Sequence, residues 1–113
     1  MKETMGRFAL ALAIMGAALL SALSAHCSEE ALAKGKAAYL HNCIACHADG
    51  GNEVNPEKTF SGADLQRNNI HTPADIVRIM RNPGPGMLKF DAATLSDEDA
   101  HGIAEYILAT FDK

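Results

Sequence analysis

The sequence predicts an all-α domain: three to four helices joined by long loops, wrapped around a group the polypeptide does not itself supply. Three observations lead there. Helix start and stop signals bracket several apolar-periodic stretches, whereas no alternating pattern of useful strand length occurs. The connecting segments are long for a chain of 113 residues, and loops of that length in a small domain are expected to close over something. Aromatic mass is scarce, with no Trp, four Phe and two Tyr. So small a core ordinarily needs a staple to fold independently.

Residues 1–25 read as a cleavable secretory signal and residues 26–113 as the functional domain. Lys2 and Arg7, diluted by Glu3, give a positive start, and Phe8 to Leu20 runs without a charge. Ser21, Ala22, Ser24 and Ala25 then supply small residues for cleavage after Ala25 or Ser24. Phe8 to Ala25 is just long enough for a retained membrane anchor, which is the alternative. Cys27 follows His26, and it is His26 that occupies the lipobox cysteine position, so lipidation is not expected. An odd exported thiol of this kind is open to intermolecular pairing. Losing the signal removes two basic residues and one acidic, taking the formal charge from −4 to −5. Such a domain is not expected to bind nucleic acid or an anionic membrane surface, and its charge favours a basic docking partner.

Within the domain, Ser28 to His41 is the first predicted helix. Ser28 is placed as N-cap, Glu29 and Glu30 suit the positive N-terminus, and Leu32, Gly35, Tyr39 and Leu40 form a semi-apolar stripe. Gly35 costs about 1 kcal/mol against Ala inside a helix, which close approach of a second helix would explain. Asp49-Gly50-Gly51-Asn52 is a turn, followed by a surface loop to Lys58. A weak helix is expected over 62–68, around Leu65. Thr72-Pro73-Ala74-Asp75 starts a firmer one, with Ile76, Ile79 and Met80 as its apolar face and Asn82-Pro83 as its stop. Ser96 caps the last helix, Asp97, Glu98 and Asp99 fill its first turn, and Ile103, Ile107 and Phe111 recur every fourth residue. Gly102, Ile103 and Tyr106 are its expected crossing surface against Gly35 and Tyr39.

The chemistry concentrates in Cys43-Ile44-Ala45-Cys46-His47. Two cysteines three apart followed directly by histidine form the attachment pattern of c-type haem. Each thiol can add across a vinyl group, and the histidine reaches the iron as proximal ligand. A redox dithiol would want a βαβ context, which is absent. A structural zinc needs four ligands; His41 can be imagined joining Cys43, Cys46 and His47, but no second pair has finger-like spacing. Forty residues on, Asn82-Pro83-Gly84-Pro85-Gly86-Met87-Leu88-Lys89-Phe90 forbids helix and holds an extended loop with Met87 at its centre. A thioether presented this way suits the sixth position of haem iron. Met80 competes but lies on a helical apolar face, where packing explains it. His71 and His101 read as surface residues, and a bis-His site using His71 has no rigid loop to present it.

With those parts in place the sequence resembles the class I c-type cytochromes, over nearly the whole mature chain from Ala31 to Tyr106. It is most similar to the soluble photosynthetic cytochromes that replace plastocyanin and to their bacterial relatives. Asn42-Cys43-Ile44-Ala45-Cys46-His47-Ala48, Gly50-Gly51-Asn52, Lys58-Thr59 and Leu95-Ser96-Asp97-Glu98-Asp99 carry the resemblance. It implies the cytochrome c fold with one haem c, Cys43 and Cys46 as covalent attachments, and His47 and Met87 as axial iron ligands. Two departures stand out. Leu88 follows the methionine where the family commonly has proline, and Ile79 replaces a glutamine often found in the preceding helix. The second tends to lower the potential and weakens the photosynthetic assignment.

The expected function is therefore a soluble, exported one-electron carrier rather than an enzyme. It would be periplasmic, or lumenal in a photosynthetic organism. It would dock transiently with a redox donor and an acceptor, take no small-molecule substrate, and meet membranes only through redox complexes. The alternatives are a haem protein with an open or labile sixth site, used for ligand sensing or peroxidase-like chemistry, and a zinc-bearing interaction module.

Overall fold

The structure, a computed structural model, describes residues 28–113. The expected signal over residues 1–25, its cleavage point and Cys27 lie outside the described residues. Apart from residues 28–30, the features below belong to the compact unit Ala31–Lys113.

Helix α1 covers residues 28–42. Ser28 is already inside it and so is not its cap. A single turn, α2 (Ile44–His47), follows and continues into a 3-10 turn at Ala48–Gly50. Then come α3 (Gly62–Arg67), α4 (Pro73–Arg81) and α5 (Asp97–Phe111). Among the described residues there is no strand. The described residues form five helices rather than three to four, because the Cys-x-x-Cys-His segment winds into a turn of its own.

Capping explains the boundaries. The Ser61, Thr72 and Ser96 side chains accept from the backbone N–H groups of Asp64, Asp75 and Asp99. At α4 the Asp75 carboxylate answers by accepting from the Thr72 backbone, closing a capping box, with Pro73 at the first helical position. Asn82 then ends α4, and the residue before a proline is biased away from helix.

The core forms where α4 packs on α5 and where α1 crosses α5. Tyr39, Ile76, Met80, Leu95, Ala100, Ile103, Ala104 and Ile107 make one buried cluster. The expected glycine crossing is present. A Cβ on Gly35 would fall 2.7 Å from the Gly102 carbonyl carbon and closer still to its oxygen. Tyr39 sits beside it, ringed by Tyr106 at 5.3 Å, Phe111 at 5.7 Å and Phe60 at 6.5 Å. Leu32 and Leu40, expected on the same stripe, are exposed instead. The contact is centred on one glycine from each helix, so it covers only a short stretch of α1.

Candidate functional site

The Cys43–His47 segment turns because His47 N–H and Cys46 N–H both donate to the Cys43 carbonyl, at 2.9 and 3.2 Å. This puts the two thiols in different surroundings. Cys43 is half-buried against the core and burial pushes its thiol up to about 11, whereas Cys46 is exposed. Both are free thiols.

Beyond His47 the chain reverses sharply. Asp49 and Gly50 both take positive φ, 52° and 76°, which an Asp-Gly pair tolerates better than most residues. At Gly50 a Cβ would also press on the Phe111 ring, 2.7 Å away. The reversal returns the Gly51 carbonyl to the His47 ring, where Nδ1 lies 2.9 Å from it. A carbonyl can only accept, so Nδ1 carries the proton and Nε2 keeps its lone pair. Phe60 stacks on the same imidazole, centroids 4.7 Å apart and planes 23° from parallel. Tyr39 donates its hydroxyl to the His47 carbonyl. The ring is thus oriented by a hydrogen bond on one nitrogen and an aromatic face, which is how metal-ligating histidines are held.

Met87 comes from the loop after α4. Its backbone turns on Gly84 (Met87 N–H to Gly84 carbonyl, 3.5 Å), and Gly86 takes φ 90° with Val54 against it. The loop is drawn together at its base, where Phe90 N–H donates to the Met80 carbonyl at 3.0 Å. Met87 is half-buried and packs on the same core cluster as Cys43. Met80 is 4% exposed and belongs to the core, as its helical position predicts. His41, His71 and His101 are all exposed. Among the described residues no group of three or more His, Cys, Asp or Glu side chains is placed to hold a metal ion.

These residues fit a haem. The donor set is two free thiols, an imidazole with Nε2 available and a half-buried thioether. The segments carrying it, 43–60 and 82–95, contribute a single buried apolar side chain, Leu95. They have almost no core of their own and need an apolar body to close on. Gly51, Phe60 and Tyr39 as supports of His47 were not foreseen as such. The Asp49-Gly50-Gly51 turn was the only signal for the first, and nothing in the sequence pointed to Phe60.

An all-α frame around a Cys-x-x-Cys-His turn defines a c-type haem domain, and comparison with known proteins agrees. A family model described as cytochrome C oxidase, cbb3-type, subunit III matches residues 30–107. Cytochrome c6 of Synechocystis sp. is 40% identical over 82 residues, spanning 73% of this chain and 68% of the relative. OmcF, the outer membrane cytochrome F of Geobacter sulfurreducens, is 43% identical and superposes with a TM-score of 0.66 over 68% of this chain and 98% of its own. Cytochrome c6 of the diatom Phaeodactylum tricornutum gives 0.64 at 32% identity, covering 69% and 91%. The chain belongs to the class I c-type cytochromes. As a member it carries one covalently bound haem c and serves as an electron carrier.

Proposed function

We propose that the protein is a soluble, exported one-electron carrier with Cys43 and Cys46 as its covalent haem attachments and His47 and Met87 as axial ligands. The observation that carries this reading is the Gly51 carbonyl on His47 Nδ1. It fixes the tautomer that leaves Nε2 as ligand, immediately after a pair of free thiols. Met87, half-buried against the cluster that also receives Cys43, supports the second axial assignment.

When bound, the haem supplies a centre that cycles between ferric and ferrous states. The chain's own residues do the rest. Gly51 and Phe60 keep the His47 ring from rotating, the Pro/Gly loop presents a soft thioether, and the pair raises the potential relative to bis-His ligation. His47 and Met87 would together hold the iron and leave no position there for a substrate. Donor and acceptor meet the domain in brief encounters steered by its acidic charge. A periplasmic or lumenal setting follows from the export segment, where this haem attachment takes place.

An optical spectrum of the exported holoprotein in both redox states tests the reading. The expected result is a c-type spectrum with the weak charge-transfer band of methionine-ligated ferric haem. Absence of that band together with rapid carbon monoxide binding by the ferrous form would overturn it in favour of an open-site haem protein.

A further inference from the structure

Arg81 is the last residue of α4, and its guanidinium grips two elements at once. Nη1 donates to the Phe90 carbonyl at 2.8 Å, and Nη2 donates to Asp97 Oδ1 at 2.6 Å. The arginine side chain is largely covered, 19% exposed, whereas Asp97 is 79% exposed. Phe90 is the residue at which the Met87 loop returns to the body of the domain. Its N–H is already tied to the Met80 carbonyl, so the Arg81 bond completes the neck of the loop from the carbonyl side.

Between neck and tip the loop has few other ties. Gly84, Pro85, Gly86 and Leu88 are exposed, a Cβ on Gly84 would meet nothing within 4 Å, and Met87 N–H has only the long contact to Gly84. Met87 itself packs on the core cluster, and the backbone that carries it is tied to the body of the domain chiefly at the neck. Asp97 lies in the first turn of α5, and α5 is locked to α1 through Gly102 and Gly35. The planar fork spreads its donors over two nitrogens and so reaches a carbonyl and a carboxylate in fixed directions; a lysine carries its three donors on one nitrogen at the end of a flexible stem and does not reproduce that span.

We infer that Arg81 is a positioning residue for the sixth iron ligand, holding the Met87 loop closed by fastening Phe90 to the start of α5. The inference rests on Met87 being the axial ligand. The plainer role for Arg81, a cation at the C-terminus of α4 that complements the helix dipole, makes a different prediction, because lysine would serve that role equally well.

The test compares wild-type holoprotein with Arg81→Ala and Arg81→Lys. Three readouts are needed: the ferric charge-transfer band, the rate of carbon monoxide binding to the ferrous form, and denaturant melts followed by that band and by far-ultraviolet dichroism. Losing a charge-assisted bond at the neck is expected to raise the carbon monoxide rate about ten- to hundredfold in both variants. The band should vanish at lower denaturant than the helices do, a local opening rather than global loss. A band and rate unmoved in either variant overturn the inference, as does recovery of wild-type behaviour by lysine. Band and helices lost together in one earlier transition also overturn it, since that marks a purely structural role. A wild-type spectrum without the band overturns the ligand reading itself and this inference with it.

Discussion

At His47 and Gly35 single atoms decide the outcome. The imidazole is committed to one tautomer by one carbonyl, and Met87 is the residue proposed for the other axial position. Met87→Ala is expected to abolish the charge-transfer band, admit carbon monoxide and lower the midpoint potential, since a weaker or absent sixth ligand forfeits the Met/His preference for ferrous iron. An unchanged spectrum would reassign the ligand. Gly35→Ala acts differently. The added methyl has nowhere to go except into the Gly102 carbonyl, so the helices must part at a loss of about 1–3 kcal/mol. A denaturant midpoint for the holoprotein equal to wild type would show that the crossing relaxes freely.

Among the elements, the starts of α3 and α4 and the turn at Asp91 gather short-range hydrogen bonds on carboxylates. Backbone and side-chain donors of Thr59, His71, Thr72 and Thr94 hold the carboxyls of Asp64, Asp75 and Asp91 below the usual range. The Thr59 hydroxyl leads at Asp64, the His71 N–H at Asp75 and the Thr94 N–H at Asp91. Each folded value is depressed, so each contributes stability that is complete above the unfolded carboxylate value, about 4. That contribution is lost as pH falls through the folded value. Urea midpoints are expected to be flat from neutrality to about pH 5 and to drop below about pH 4. Asp75→Asn should flatten the acid limb while lowering the midpoint at neutral pH, and an unaltered acid limb would remove Asp75 from the account. The α4 and α5 starts were legible in the sequence because a cap, an N1 proline and acidic first turns are local signals. Arg81 was not legible. Its two partners are nine and sixteen residues away, and nothing local announces a contact of that kind.

Across the whole molecule the polypeptide packs one part of itself and leaves another to its cofactor. Buried apolar side chains come from α1, α3, α4, α5 and Leu95, two of them alanines, while the site-bearing loops add almost nothing. Removing the haem from the purified protein is therefore expected to cost most of the helical dichroism and the cooperativity of thermal unfolding. An apoprotein that melts cooperatively near the holoprotein temperature would show the helical core to be self-sufficient. The same division explains what could be read in advance. Cys43, Cys46, His47 and Met87 stood out because their chemistry is uncommon, and the glycine crossing because Gly35 is a poor helix residue. Phe60 against His47 did not, since an aromatic residue in a loop has no pattern to betray it. Leu32 and Leu40 misled, because periodicity gives a face but not how far along it the partner helix reaches.

The crossing of α1 and α5 also bears on timing. Gly35 lies near the start of the domain and Gly102 near its end, so this contact is non-local and pays the closure of nearly the whole intervening chain. A polypeptide made from its N-terminus presents Cys43 and Cys46 long before Gly102 exists to complete the fold. During that interval the Cys43–His47 segment lacks the α5 side chains, Tyr106 and Phe111, that pack on Tyr39 and Gly50 to either side of it. The helix that seals the domain is the last to be delivered.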